Sequence, residues 1–150
     1  MEFIMVIETK KVSLVLVASL CLVSCFIFTA SRIKNTNNAV IYLHEQEGVN
    51  RSGHALQKFI ALGNTIVIFY EDWCSPCQRM APIIQDCASK MSDIVFVKIK
   101  REFYRDLFKR YGLNTVPAIL FFKDGQLMQV QPSSVTKKEL RKLIKHIYAV

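Results

Sequence analysis

Two cysteines separated by two residues, Cys74 and Cys77, are the residues of this 150-residue chain whose type and spacing best suit chemistry. They lie in the stretch EDWCSPCQRMAP, residues 71–82, with a tryptophan directly before the pair and a proline between its members. Such a pair can contribute two thiolates to a metal site, pack as core sulfurs, or alternate between dithiol and disulfide. These three chemistries need different surroundings, so the neighbouring sequence distinguishes among them.

A structural metal site is not expected. Zinc held by a Cys-x-x-Cys pair needs two more ligands, commonly from a second such pair or from two closely spaced histidines. The remaining cysteine of the globular part, Cys87, falls on the apolar face of its predicted helix, where a packed core thiol is expected. The three histidines, His44, His54 and His146, are far apart in the sequence. We therefore expect no metal and no other cofactor.

The position of the pair between a strand and a helix favours redox chemistry. Residues 65–70, TIVIFY, form a continuous apolar run that predicts a buried strand, and a helical pattern follows the cysteines. Cys74 would then lie at a helix N-terminus, where unpaired N–H groups stabilise a thiolate. Lowering a thiol pKa from about 8.5 to about 7 takes about 2 kcal/mol. Cys77, one turn later, would lie within reach to resolve a mixed disulfide, and Pro76 suits a first helical turn.

The remaining patterns predict an alternation of strands and helices. Strands are expected over residues 40–43, 94–99, 118–122 and 126–130, and helices over 52–62, from the cysteine pair to Met91, and over 103–111. Thr136 opens the last helix, and Glu139 completes a capping box. Lys-Asp-Gly at 123–125 is a hairpin turn signal. The alternation predicts an α/β sheet with parallel pairing and an antiparallel edge from the terminal hairpin.

Several short motifs in order resemble the thioredoxin family over residues 40–150. WCSPC at 73–77 resembles that family's WCGPC, and Met-Ala-Pro at 80–82 its M-A-P. YGLNTVP at 111–117 resembles Y-G-I-x-x-x-P, and FKDG at 122–125 resembles F-K-x-G. The resemblance implies a thioredoxin-like fold, with a central mixed sheet flanked by helices.

The resemblance also implies roles for individual residues. Cys74 would be the nucleophile and Cys77 the resolving thiol, with Ser75 and Pro76 tuning the site. The Val116–Pro117 bond would be cis and would pack beside the cysteines, so that the backbone at Val116 pairs with an extended substrate segment. Trp73 would shield the site and contact substrate, although a plain core aromatic stays open as its alternative. The implied partners are disulfide-containing proteins and a separate electron-donating reductase. That reductase could itself be a membrane protein.

The chain also departs from the family pattern near the cysteines. Thioredoxins usually keep a buried acid five residues before the tryptophan, where Ile68 stands, so Lys98 retains the family's lysine without its acidic partner. Glu71 and Asp72 are expected to face solvent. Strong oxidants and isomerases of the family usually carry a histidine directly before the second cysteine, whereas this chain has Pro76. We therefore expect a fairly reducing site; an oxidase or isomerase remains the alternative, as does a non-catalytic, membrane-tethered binding module.

An apolar segment at residues 12–30 follows a short N-terminal tail at 1–11 and precedes a polar linker at 31–39. It contains no charge, proline or glycine over 19 positions, enough for a helix to cross a bilayer core. An uncleaved anchor is the favoured interpretation. A signal peptide cut near 29–31 and a lipobox ending at Cys25 stay open. Each of them, if the chain is exported, places the globular part outside the cytosol, towards the periplasm or another extracytoplasmic compartment.

The charge balance adds little about partners. The chain carries 20 Lys+Arg against 12 Asp+Glu, a net charge of +8. A solvated basic surface is the simplest account, and an anionic membrane surface or acidic partner is the other. No zinc-finger or RNP-type motif accompanies the positive charge, so nucleic-acid binding is not expected.

Overall fold

The computed structural model describes residues 39–43, 54–61 and 63–150. The predicted tail at 1–11, the apolar segment at 12–30 and the linker up to residue 38 lie outside the described residues, as does His44. Across the described ranges, no helix combines the length and the apolar character that a membrane crossing requires.

Five strands and four helices follow one another in the described part of the chain. The strands are β1 (Ile41–Leu43), β2 (Asn64–Tyr70), β3 (Ile94–Lys100), β4 (Ala118–Lys123) and β5 (Gln126–Gln131). The helices are α1 (His54–Ala61), α2 (Ser75–Lys90), α3 (Arg105–Arg110) and α4 (Lys137–Tyr148), with a 3₁₀ turn at Arg101–Phe103 before α3. The predicted order of elements is confirmed, with boundaries that differ by a few residues.

The strands form one mixed sheet in the order β1-β3-β2-β4-β5. Strands β1, β3 and β2 run parallel, as the alternation with helices predicts. Strand β4 pairs antiparallel with β2, and β5 pairs antiparallel with β4, so the hairpin contributes two antiparallel strands to the sheet. Strand β2 therefore lies in the middle of the sheet, and its sequence is continuously apolar because both of its faces are buried in core clusters.

Alternate residues of the central strands face two separate core layers. One layer lies beneath α2 and α4 and consists of Val40, Ile66, Ile68, Met80, Ile84, Cys87, Ala88, Ile94, Phe96, Ile119, Phe121, Leu140, Ile144 and Tyr148. The other lies beneath α1 and α3 and is built from residues that include Leu56, Ile60, Val67, Phe69, Val97, Ile99, Leu107, Phe108 and Leu120. Both faces of the sheet are therefore covered, and the cysteine pair follows the carboxyl end of β2.

The sequences of α2 and α4 explain where these two helices begin. Thr136 and Glu139 form the predicted capping box at the start of α4, with Glu139 N–H donating to the Thr136 hydroxyl. Helix α2 has Pro76 in its first turn, where the missing N–H donor costs no helical hydrogen bond, and contains Pro82 in its interior. Helix α2 therefore begins directly after Cys74, which places the cysteine pair at its N-terminus.

Candidate active site

Cys74 and Cys77 lie at the junction of β2 and α2 and are joined by a disulfide, with their Cα atoms 5.2 Å apart. Cys74 is the N-cap residue of α2, and its Sγ accepts a hydrogen bond from the backbone N–H of Cys77 at 3.2 Å. Both side chains are buried. The local sequence accounts for this geometry: an apolar strand ends at Tyr70, a short loop follows, and Ser-Pro opens the helix. The Cys77 N–H in the first turn therefore points towards the sulfur that would carry negative charge in the reduced state.

The loop before β4 lies against the cysteine pair. The Val116–Pro117 peptide bond is cis, as the family resemblance implies. The carbonyl oxygen of Val116 lies 3.6 Å from Sγ of Cys74, and the Val116 side chain packs against Tyr70 and both cysteines. Residues 42 positions apart in the sequence are thereby brought into one site.

Trp73 stands beside the disulfide on the surface. Its side chain is 70 % exposed, which excludes the alternative that it is a core aromatic. The guanidinium of Arg101 lies 5.7 Å from the indole ring centre, within the range of a cation–π interaction. An exposed indole next to a buried disulfide offers an apolar contact surface to an approaching chain.

The prediction that Glu71 faces solvent is wrong, because this residue is only 3 % exposed. The same prediction for Asp72 is confirmed, since its side chain is exposed. The Nε–H of Arg101 donates a hydrogen bond to Oε1 of Glu71 at 3.0 Å, and this pairing compensates the buried carboxylate. The sequence reasoning also missed Arg101, because its position directly after β3 gives no local sign that it reaches the loop after β2.

The two residues between the cysteines occupy the first turn of α2. Ser75 is exposed and Pro76 is half-buried. One turn further, Gln78 donates from Nε2 to the backbone oxygen of Asp72 at 2.7 Å, which ties the loop to the helix. The loop carrying Trp73 is therefore held at both sides, by Gln78 and by Arg101.

A small cavity of about 240 Å³ opens behind the disulfide. Its lining includes Cys77, Tyr70, Asp72, Gln78 and Lys98. Lys98 is only 8 % exposed, and burial lowers its pKa below the ordinary value, while the Asp72 carboxylate opposes that shift. Burial also raises the pKa of the Tyr70 hydroxyl, and Lys100 opposes that change. A buried cation and Cys77 thus share one cavity.

The described residues contain no cluster of three or more His, Cys, Asp or Glu side chains arranged to hold a metal ion. Cys87 is fully buried in the core layer beneath α2, as expected, and burial raises the pKa of its thiol. A protonated, enclosed thiol is a poor nucleophile. The reactive sulfur chemistry of the described part therefore resides in Cys74 and Cys77, and these features define a thiol–disulfide oxidoreductase.

Comparison with known proteins assigns the family. The family model described as Thioredoxin matches residues 49–146. A thioredoxin of Mycoplasmoides gallisepticum is 29 % identical over 91 residues, covering 60 % of this chain and 91 % of that protein. The solved structure of a thioredoxin from Nicotiana alata superposes with a TM-score of 0.61 at 28 % identity, covering 71 % of this chain and 90 % of that one. The chain belongs to the thioredoxin family, whose members act on protein disulfides and are themselves reduced by a reductase.

A further structural likeness concerns the fold alone. A mutant thioredoxin from Halobacterium salinarum superposes with a TM-score of 0.63 at 24 % identity. The superposition covers 73 % of this chain and 90 % of that one. The mixed sheet with helices on both faces is therefore shared with a protein whose sequence has diverged widely.

Proposed function

We propose that this protein reduces disulfide bonds in other proteins, with Cys74 as the nucleophile and Cys77 as the resolving thiol. The placement of Cys74 as the N-cap of α2 carries the proposal, because a thiolate there accepts hydrogen bonds from the helix N-terminus. The Cys74 thiolate attacks one substrate sulfur, the other leaves as a thiolate, and a mixed disulfide forms. Cys77 then attacks Sγ of Cys74 and releases the second substrate thiolate. The substrate gains two electrons, and the Cys74–Cys77 disulfide forms.

The substrate is proposed to lie across Trp73 and the loop at Val116 and Pro117. Trp73 offers an exposed apolar ring, and the Val116 carbonyl sits beside the attacking sulfur. An extended segment that pairs with the backbone at Val116 would bring its disulfide within reach of Cys74. Ser75, exposed at the first turn of the helix, and Pro76 would tune the reactivity of the pair.

The direction of the reaction is proposed from the residues between the cysteines. Ser75 and Pro76 place no histidine beside Cys77, so no additional cation favours the reduced form as in strong oxidants of the family. After each turnover the Cys74–Cys77 disulfide of a reductase must be reduced again to the dithiol. The proposed partner is therefore a separate electron-donating reductase, which could be a membrane protein if the site faces an oxidising compartment.

The cellular placement is proposed from the sequence. Residues 12–30 would anchor the protein in a membrane as a helix, with the family domain on the outer side. Cleavage near residues 29–31 would instead give a secreted form, and lipidation at Cys25 a lipoprotein. Labelling intact cells with a membrane-impermeant thiol reagent tests this placement. Modification of the reduced Cys74–Cys77 pair without lysis supports the outer side, and modification only after lysis contradicts it.

Trapping the mixed disulfide tests the proposed roles. A Cys77→Ser variant is expected to accumulate a covalent adduct with a disulfide-bonded protein, because the resolving thiol is missing. A Cys74→Ser variant is expected to form no adduct and to show no reduction of insulin disulfides with dithiothreitol as electron source. Adducts through Cys77 in the Cys74→Ser variant would contradict the assignment. Full biological function of that variant would favour a binding module instead.

A further inference from the structure

Basic side chains form one stripe along the exposed face of α4. Their spacing of i, i+3, i+4 and i+7 places them on the same side of the helix over about 10 Å. The members of this basic stripe are Lys138, Arg141, Lys142 and Lys145. All four are exposed, while the side of the helix that faces the core carries Leu140, Ile144 and Tyr148, which are buried. With five Lys and Arg residues against one Glu, α4 supplies half of the chain's net charge of +8.

The basic stripe is not neutralised within the described part of the chain. Like charges at these spacings repel one another and destabilise a helix. Between residues 63 and 150, none of the four side chains makes an ion pair. The one acid of the helix, Glu139, accepts hydrogen bonds from Thr136 in the capping box. The neighbouring Asp86 is already paired with Lys90 and Lys137. The stripe therefore offers its charge to an anionic partner outside the domain.

The position of α4 leaves the cysteine pair accessible. Tyr148, in the last turn of α4, donates its hydrogen bond to the carbonyl of Thr65 at the start of β2. Cys74 follows the other end of that strand. Helix α4 therefore ends at the side of the sheet opposite to the disulfide, and a surface that contacts the basic stripe would leave the disulfide and Trp73 free for a substrate.

We propose that the basic stripe of α4 binds an anionic phospholipid surface. A layer of lipid phosphates complements a straight row of ammonium and guanidinium groups, and each basic side chain near such a surface strengthens association about fivefold. The contact rests on the proposed placement at a membrane and adds to it, because it names the face of the domain that lies against the headgroups.

The sequence before the domain favours lipid over other anionic partners. An anchor at residues 12–30 would hold the domain near the bilayer, because the linker at 31–39 can extend over at most about 30 Å. Val40, which follows this linker, packs in the core layer beneath α2 and α4. The chain therefore enters the domain on the side of the sheet that carries the basic stripe.

Lysine acetylation on vesicles tests the contact. The full chain would be reconstituted into vesicles of phosphatidylcholine alone or of an equal mixture with phosphatidylglycerol, treated with a membrane-impermeant acetylating reagent and mapped by peptide mass. Lys138, Lys142 and Lys145 are expected to react at least about fivefold more slowly on the anionic vesicles. The internal references are Lys58 and Lys109, which are exposed on α1 and α3 at the other face of the sheet. High salt should abolish the protection, and unchanged relative reactivity at low salt overturns the proposal.

Matched double variants separate the stripe from net charge. Lys138→Gln combined with Arg141→Gln should weaken the contact roughly 25-fold, so that Lys142 and Lys145 lose their protection. Arg105→Gln combined with Arg110→Gln removes the same charge from exposed positions of α3 and should leave that protection intact. Insulin reduction verifies that both proteins fold. Loss of protection in both variants, or in neither, overturns the role of the stripe.

Flotation distinguishes failure of this surface from failure of the proposed placement. An anchor at residues 12–30 should carry the protein with neutral vesicles at any salt concentration. A protein that does not float with neutral vesicles contradicts the anchor. The surface is then supported only by salt-sensitive flotation with anionic vesicles that the double variant of α4 loses. Protection of the stripe by polyglutamate but not by anionic vesicles overturns the lipid assignment and indicates an acidic protein partner.

Discussion

Replacing Glu71 by glutamine tests whether the buried ion pair with Arg101 supports the active-site loop. The Glu71 side chain is 4 % exposed and accepts one hydrogen bond at 3.0 Å, while the Arg101 side chain is 35 % exposed. Glutamine keeps the shape and the acceptor oxygen but removes the charge. A hydrogen bond to a charged group contributes about 1.5–3 kcal/mol and a neutral one about 0.5–1.5 kcal/mol. Because a neutral amide is easier to bury, the expected loss in the free energy of unfolding is about 1 kcal/mol.

The same variant should also affect substrate binding. Arg101 contacts the indole ring of Trp73, and a cation–π contact at an exposed site contributes about 0.5–1 kcal/mol. With Glu71 neutral, Arg101 is held less firmly and Trp73 loses part of its support. The KM for a protein disulfide is expected to rise about two- to fivefold, with little change in kcat.

Urea denaturation and steady-state insulin reduction measure the two effects. Glu102→Gln is the matched control, because Glu102 is 45 % exposed and lies 3.7 Å from Lys100. It should change the free energy of unfolding by less than about 0.5 kcal/mol and leave KM unaltered. Equal, negligible effects of the two variants on stability and KM would refute the reasoning, because Glu71 would then act as an ordinary surface carboxylate.

Three further predictions concern the stability of the fold and the reactivity of its cysteines. Tyr148→Phe removes a buried hydroxyl that donates to a backbone carbonyl of β2 at 3.0 Å and should cost about 1 kcal/mol in urea denaturation; an unchanged midpoint would contradict this. Hydrogen bonds from Lys90 and Lys137 lower the pKa of Asp86 from 3.8 to about 2, so its stabilising contribution is present above pH 3.8 and lost as pH falls towards 2. The stability difference between the protein and Asp86→Asn should therefore shrink over that window in pH-dependent unfolding, and a constant difference would refute the assignment. In the reduced native protein, an alkylating reagent should modify Cys74, whose thiolate the helix N-terminus stabilises, and leave Cys87, whose pKa burial raises, unmodified, as mapped by peptide mass; rapid modification of Cys87 would contradict this difference.

Local sequence patterns predict the elements that position the cysteines. The apolar run ending at Tyr70, the cysteine pair and the helical pattern after it are contiguous, so their strand-to-helix junction needs no information from distant residues. The capping box of Thr136 and Glu139 is likewise a local signal and is confirmed. The cis bond at Pro117 was implied by family resemblance, because residue spacing alone carries no such signal.

The misjudged features depend on contacts between distant segments. Glu71 and Arg101 are 30 residues apart, and only the parallel pairing of β2 with β3 brings their ends together. The burial of Glu71 therefore could not be predicted from the local sequence, in which two acidic residues stand side by side. The sequence shows that Lys98 lacks the family's acidic partner, but its aromatic neighbours Tyr42 and Tyr70 come from two other strands and are not predicted by it. The alternation of strands and helices predicted parallel pairing for β4 as well, whereas β4 pairs antiparallel with β2, a direction that is set only when the sheet assembles.

The equilibrium reduction potential of the Cys74–Cys77 disulfide tests the central claim most directly. The protein would be equilibrated with glutathione buffers, and the dithiol fraction would be quantified by alkylation and mass. A potential near about −270 mV is predicted, because the site combines a thioredoxin fold with no histidine beside Cys77. A value between about −180 and −120 mV would contradict a reductase and indicate an isomerase or oxidase. Absence of a reversible disulfide would contradict thiol–disulfide exchange altogether.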